Sequence, residues 1–287
     1  MDEYNYDKAF SRNIGWVSTE EQLQLKSKRI AIAGLGGVGE TCLESLARLG
    51  IESYHIADFS MYEMQNFNRQ FGATISNLGS RITSVLKNKL CDINPNIQLK
   101  IFEKGLSEKN LDEFLEGVDL YIDGLDLFAI DIRILLFKRL KELKIPAITI
   151  APIGMGAALL IFQEGSMSFD KYFGMNLEST PGVNNCRFIS GFTPSLIQKK
   201  YLVDFTRFKF SQKKVPSTSM GCLLAGAVAT TNALKILLKR GVVLSAPWSL
   251  HFDAYLNTYK KKYVMFGHNN PFQKHKLRIL RKLIVND

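Results

Sequence analysis

From Arg29 to about Phe162 the chain alternates short apolar runs with segments whose apolar residues recur three and four positions apart. The runs predict strands over 29–34, 53–57, 97–103, 118–122, 146–151 and 157–163, and the periodic segments predict helices near 38–49, 79–91, 108–116 and 128–143. Such alternation builds an α/β fold: a doubly wound, mostly parallel, Rossmann-like sheet covered by helices on both faces. Ligands of these sheets sit beyond the carboxyl ends of the strands. From 164 to 220 the pattern gives way to a stretch rich in Gly, Pro, Ser and Asn, which reads as a long crossover loop over that crevice. Two aromatic clusters within it (Phe169, Tyr172, Phe173 and Tyr201, Phe205, Phe208, Phe210) read as satellite cores. Regular structure resumes with a small-residue helix over Gly221 to Leu238 and a strand around Leu250 to Phe252, and the basic tail from Lys274 reads as a short amphipathic helix. The expected organisation is an N-terminal arm (1–28), a Rossmann-like domain (29–163), a crossover loop and C-terminal part of the same unit (164–264), and the tail (265–287).

The first strand feeds straight into Gly34-Leu-Gly36-Gly37-Val-Gly39, and Val38, Cys42, Leu43, Leu46 and Leu49 follow at helical spacing. Strand, glycine turn and helix in that order suit phosphate binding: glycine lets the backbone approach an anion, and a helix N-terminus presents unpaired N–H groups and the positive end of its dipole. Asp58 ends the second apolar run nineteen residues after Gly39, where an acid is placed to accept hydrogen bonds from a ribose hydroxyl. The chain is therefore expected to bind a nucleotide.

Composition adds limits. At 46% hydrophobic over 287 residues the chain has ample core, and no disorder class fits. The longest mostly apolar stretch, Ile148 to Phe162, is interrupted by Pro152, Gly154 and Gly156 and is too short to span a bilayer, so no transmembrane segment is expected. The acidic N-terminus lacks the regions of a signal peptide, which makes the cytoplasm the expected location. Cys42, Cys91, Cys186 and Cys222 form no CxxC pair and suggest neither a disulfide framework nor zinc. Charge is divided unevenly: residues 1–150 hold 18 Lys/Arg and 21 Asp/Glu, whereas residues 151–287 hold 19 and 6. The second half thus suits an anionic partner, or simply carries its excess charge on solvated faces.

The class is narrowed by Asn66-Phe-Asn68-Arg69-Gln70, eight residues after Asp58. Hydride transfer has no use for this cluster. Attack on the α-phosphate of ATP does, because charge builds up as pyrophosphate leaves and calls for cations and amide donors. Asp126, in Asp123-Gly-Leu-Asp126 at the end of a later strand, suits the Mg²⁺ that neutralises phosphates.

With these motifs in order, from about Arg12 to Phe162, the chain resembles the E1-like activating enzymes of the ThiF/MoeB/HesA type; Ile93-Asn94-Pro95 adds to the likeness, which weakens through Gly221 to Asp253. The resemblance implies a homodimer that binds ATP and Mg²⁺ and adenylates a carboxylate, usually the C-terminus of a small ubiquitin-like or sulfur-carrier protein, or of a precursor peptide. It implies phosphate binding by Gly34, Gly36, Gly37 and Gly39, ribose binding by Asp58, phosphate polarisation by Asn66, Arg69 and Gln70, and Mg²⁺ binding by Asp126. It also implies an arginine reaching into the partner's site, for which Arg12 is the candidate.

The chain departs from the family pattern at three places. The family's catalytic lysine falls at Ile82, which cannot neutralise a phosphate; Arg81 beside it and Lys87 further along the same helix are the candidate replacements. The paired CxxC motifs that hold zinc in many members are missing, as in the tRNA-threonylcarbamoyladenosine dehydratases. Together with the basic second half, this makes tRNA a second candidate partner. Leu127 stands where an asparagine often follows the second aspartate. A nucleotide-binding protein that has lost adenylation is the third reading, motivated by Ile82. Cys186, next to Arg187 in the crossover stretch, is the candidate nucleophile and Cys222 a weaker one, against a packing role for both. His55 and His251 read as structural, and Asp131, Arg133 and Lys138 as a solvated helix face.

Overall fold

Strand β1 (Arg29–Ala33) lies near the middle of a single eight-stranded sheet in a computed structural model that describes residues 3–195, 197–210 and 212–284. The other strands are β2 (Ser53–Ala57), β3 (Gln98–Phe102), β4 (Leu120–Asp123), β5 (Ala147–Ile153), β6 (Gly156–Phe162), β7 (Trp248–Asp253) and β8 (Thr258–Tyr263), in the spatial order β3-β2-β1-β4-β5-β6-β7-β8. The first five in that order pair parallel and the remaining pairs are antiparallel. The helices in chain order are α1 (Tyr6–Ala9), α2 (Thr19–Lys26), α3 (Gly37–Arg48), α4 (Ile82–Ile93), α5 (Leu111–Leu115), α6 (Ile130–Glu142), α7 (Phe169–Phe173), α8 (Pro181–Phe192), α9 (Ser219–Leu237) and α10 (Pro271–Ile284). The chain order reverses between β1 and β4, and that switch point opens the crevice.

The strands form because they are apolar on both sides. Ile30 and Ile32 of β1, Leu120 and Ile122 of β4, and Leu159 and Ile161 of β6 point into one core, while Ala31, Tyr121, Leu160 and Phe162 point into the other. Each fully buried Ile or Leu contributes roughly 1.5–3 kcal/mol. The first core is closed by α3, α4 and α9; the second by α5, α6, α7 and α8. The cluster Phe169, Tyr172 and Phe173 belongs to the second core, with Phe169 stacked on Phe137 at 4.0 Å.

The stretch from 164 to 220 is more ordered than a loop. It holds α7 and α8, the latter started by Pro181 at its first turn and burying Cys186, Phe188 and Phe192. Strand β8 was not legible as an apolar run because its sequence is Thr-Tyr-Lys-Lys-Lys-Tyr; it is an edge strand, where lysines discourage further pairing. Helix α9 is long and apolar enough in composition to cross a membrane, yet it is a core helix here. Its small residues allow close approach to α3: a Cβ added at Gly226 would collide with Thr41. Helix α10 is docked rather than free, since Ser190 donates to Gln273 at 2.9 Å and Lys276 Nζ donates to the carbonyls of Ser190 and Thr193 at 2.7 Å each. Burial there pushes the Lys276 pKa down to about 7.

Candidate functional site

The turn from β1 to α3 is glycine by necessity. Gly34 has φ +80, and a Cβ there would collide with the Gly124 carbonyl; a Cβ at Gly39 would collide with the carbonyl of Gly34, and one at Gly37 would lie 2.7 Å from Cys222 Sγ. Gly36 caps α3 without a side-chain partner, so the first-turn N–H groups face the crevice. Asp58 braces this turn: Oδ2 accepts the Leu35 N–H and Oδ1 the Ser60 N–H, both at 2.7 Å. Each oxygen retains a lone pair for a further donor.

A cavity of about 550 Å³ opens here, of the size that takes a cofactor. Its walls include Gly34, Gly36, Gly37, Asp58, Asn66, Arg69, Gln70, Ile82 and Asp126, so most of the motif residues converge on one space. Asn66 ends a short 3-10 turn with its Oδ1 accepting the Glu63 N–H at 2.7 Å. Arg69 Nη1 donates to Gln65 O and Asn68 Oδ1, both at 3.0 Å. Asn68 Nδ2 donates to Ser217 O at 2.9 Å, tying this turn to the segment that leads into α9. Gln70 is buried with an Oε1 that has no partner, next to Gly36. An orphaned buried amide oxygen calls for a partner, and a bound group would supply one.

The two aspartates after β4 are not equivalent. Asp123 is buried; its Oδ2 accepts from Arg133 Nε at 2.8 Å and from Thr149 Oγ1 at 2.7 Å. Asp126 is exposed to the cavity, and its carboxylate accepts the Phe128 N–H at 2.9 Å. Among the described residues no three His, Cys, Asp or Glu side chains cluster as a metal cage. Mg²⁺ on a nucleotide needs no such cage, because phosphates and water fill most of its shell and one or two carboxylates suffice. The Asp126 carboxylate fits that need and Asp123, already paired, does not.

Arg133 corrects the sequence reading, which placed it on a solvated face. It is 1% exposed, also donates to the carbonyls of Leu125 (2.7 Å) and Asp126 (3.0 Å), and lies 4.4 Å over the Phe188 ring. The signal was present: Ile130, Arg133, Phe137 and Leu140 share the buried stripe of α6. Glu40 and Tyr62 were also missed. Glu40 sits in the first turn of α3, 1% exposed, accepting from Tyr62 OH at 3.3 Å, with Oε1 unpartnered. Burial pushes its pKa up to about 7 against the pull of Lys89.

Other sequence candidates lie elsewhere. Ile82 opens α4 and lines the cavity, whereas Arg81 is its exposed N-cap residue, and neither Arg81 nor the exposed Lys87 is among the lining residues. The cations among the described lining residues are Arg69 and Arg133. Gly39 is set behind the cradle, and Arg12, in the exposed 3-10 turn Ser11–Asn13, is not part of the cavity of its own chain. Cys186 is not in a loop: it is fully buried in α8, and burial pushes its thiol pKa up, against a thiolate. Cys222 lines the cavity from the first turn of α9, its pKa likewise raised by burial.

Residues 10–271 match the ThiF family. A tRNA threonylcarbamoyladenosine dehydratase of Bacillus subtilis is 33% identical over 150 residues, which cover 52% of this chain and 57% of that protein. A probable molybdopterin-synthase adenylyltransferase of Porphyra purpurea is 33% identical over 113 residues, 39% of this chain and 30% of that protein. The matches therefore span little more than half of the first relative and less than a third of the second. Among solved structures, Escherichia coli MccB with MccA is similar in fold, with a TM-score of 0.69 at 16% identity over 94% of this chain and 75% of that one. The same protein with ATP gives 0.65 at 16% identity over 88% and 69%.

Proposed function

The chain belongs to the ThiF family, matched over residues 10–271, and from that premise we propose that it is an ATP-dependent adenylyltransferase that activates a carboxylate as its acyl-adenylate. The carrying observation is that Asn66, Arg69 and Gln70 share one cavity with the glycine turn, Asp58 and Asp126. In this reading Asp58 accepts from the ribose hydroxyls, and the N–H groups of the α3 first turn meet the phosphates with Arg69 and Gln70 beside them. A carboxylate oxygen attacks the α-phosphorus in line; the new O–P bond forms as the bond to the β-phosphate bridging oxygen breaks, and pyrophosphate leaves with the electron pair. Arg69 stabilises the charge that develops on the departing oxygens. Asp126 would hold Mg²⁺, which when bound neutralises phosphate charge. The acyl partner is a small ubiquitin-like or sulfur-carrier protein or a precursor peptide, and the active form is a homodimer in which Arg12 reaches the neighbouring site.

ATP labelled at the α-phosphate tests the reaction type. AMP and pyrophosphate formed in step with a carboxylate-terminated probe support adenylation; ADP and inorganic phosphate contradict it.

A second reading, modification of tRNA, is favoured by the basic second half and by the relative from Bacillus subtilis. It requires tRNA binding that weakens steeply with salt, since each neutralised phosphate adds to the slope. Binding indifferent to salt would dismiss it.

A further inference from the structure

The cavity has two chemically different ends. One is the polar cradle of Gly36, Gly37, Asp58, Arg69 and Gln70; the other is walled by Ile153 at the end of β5 and by Phe188, Ile189 and Phe192 of α8. The aromatic wall is preformed: Phe188 and Phe192 are buried on α8 with ring centroids 4.8 Å apart.

Sheet order separates the two ends. Asp58 follows β2, the glycine turn follows β1, and Ile153 ends β5, which lies beyond β4 on the other side of the switch point. A nucleotide with its ribose at Asp58 and its phosphates over the α3 N-terminus runs from β2 to β1. The apolar end is then on the far side of the phosphates from the ribose, where an attacking carboxylate approaches. Arg133 marks the boundary, bonded to Asp123 on one side and over the Phe188 ring on the other.

Resting on the adenylation reading and choosing the peptide among its acyl partners over a carrier protein ending in glycine, we infer that the carboxylate activated here belongs to a polypeptide whose terminal residue carries a bulky apolar side chain, aromatic or branched aliphatic. A glycine terminus would leave the aromatic wall without a partner and forfeit the burial it offers. The pocket discriminates by apolar contact, for which selectivity of roughly ten- to two-hundred-fold is expected.

The probes are two N-acetylated tripeptides, one ending in Phe and one in Gly-Gly, titrated by calorimetry with a saturating non-hydrolysable ATP analogue and assayed separately by pyrophosphate exchange. The Phe-ended peptide should bind at least tenfold more tightly. Ile153→Asp, at a partly exposed wall position, should erase that preference, with an unchanged melting temperature as the check on folding. Equal affinity for the two peptides, no saturable binding of either, or a preference that survives Ile153→Asp overturns the inference. So does binding of the Phe-ended peptide only without the analogue, since the apolar end would then take the adenine. Selective binding beside the nucleotide with no exchange would uphold the apolar subsite and bring down the adenylation reading instead.

Discussion

Arg133 donates to Asp123 at 2.8 Å with both side chains 1% exposed, and from that position its guanidinium also holds the carbonyls of Leu125 and Asp126. The pair orders the turn that carries Asp126 into the cavity. Removing one member leaves a buried charge uncompensated, which typically costs about 3–5 kcal/mol. Arg133→Met is therefore expected to lose stability on that scale in urea denaturation and to weaken ATP binding, and the double change with Asp123→Leu should recover part of the stability. A single variant as stable as the parent would show that the pair does not order this turn.

The two cavity acids should separate. The Asp126 carboxylate accepts one backbone N–H and has no part in the core, so Asp126→Ala should keep its melting temperature while abolishing pyrophosphate exchange. Asp58→Ala should chiefly weaken nucleotide affinity, by about 1–3 kcal/mol for hydrogen bonds to a charged group. Because Asp58 also holds the Leu35 N–H, some loss of order in the glycine turn is expected with it, visible as faster amide exchange there. Unchanged ATP affinity by calorimetry would remove Asp58 from the ribose site.

Glu40 makes stability depend on pH. Its folded pKa of about 7 lies above the ordinary value of 4.5, so between those values the folded chain holds a proton that the unfolded chain has released. Stability then falls as pH rises through that window and levels off above it. Glu40→Gln mimics the protonated form. It should match the parent near pH 5 and exceed it at pH 8 by about 1–3 kcal/mol, since each tenfold change in proton affinity between the folded and unfolded chain is worth about 1.4 kcal/mol. A variant destabilised equally at both values would contradict this.

Arg12 lies outside the cavity of its own chain, and the homodimer proposed above would have it act in the neighbouring site. Mixing Arg12→Ala chains with Asp126→Ala chains should restore part of the activity, because one composite site in each heterodimer keeps both groups. No recovery despite demonstrated subunit exchange would exclude action in trans.

The parallel half of the fold was legible because its strands are apolar on both faces and its helices carry a regular stripe. What escaped was structure without that contrast. Strand β8 is built of lysines, which an edge strand tolerates, and α8 opens on Pro181 and Gly182, which read as a turn until the proline is recognised as a first-turn residue. In the site, the glycines, Asp58, Asn66, Arg69, Gln70 and Asp126 could be found by motif spacing and share one cavity, with Gly39 set just behind the turn. Arg133 shares the apolar stripe of α6, but its burial is accounted for only by its partner Asp123 on the neighbouring strand end; Glu40, outside the cavity lining, is explained by burial and by Tyr62, twenty-two residues away. The charge lost at Ile82 was sought at Arg81 or Lys87, and both are exposed and outside the cavity lining, whose cations among the described residues are Arg69 and Arg133.

Pyrophosphate exchange, run side by side on the unaltered chain, Arg69→Ala and Arg81→Ala with ATP, Mg²⁺ and the Phe-ended peptide, tests the adenylation account most directly. The unaltered chain should exchange, Arg69→Ala should lose on the order of 10²-fold or more, the scale for removing one electrostatic stabiliser, and Arg81→Ala should stay near the parent. An unaltered chain that binds ATP, and binds the peptide beside it, yet exchanges no pyrophosphate would contradict the account.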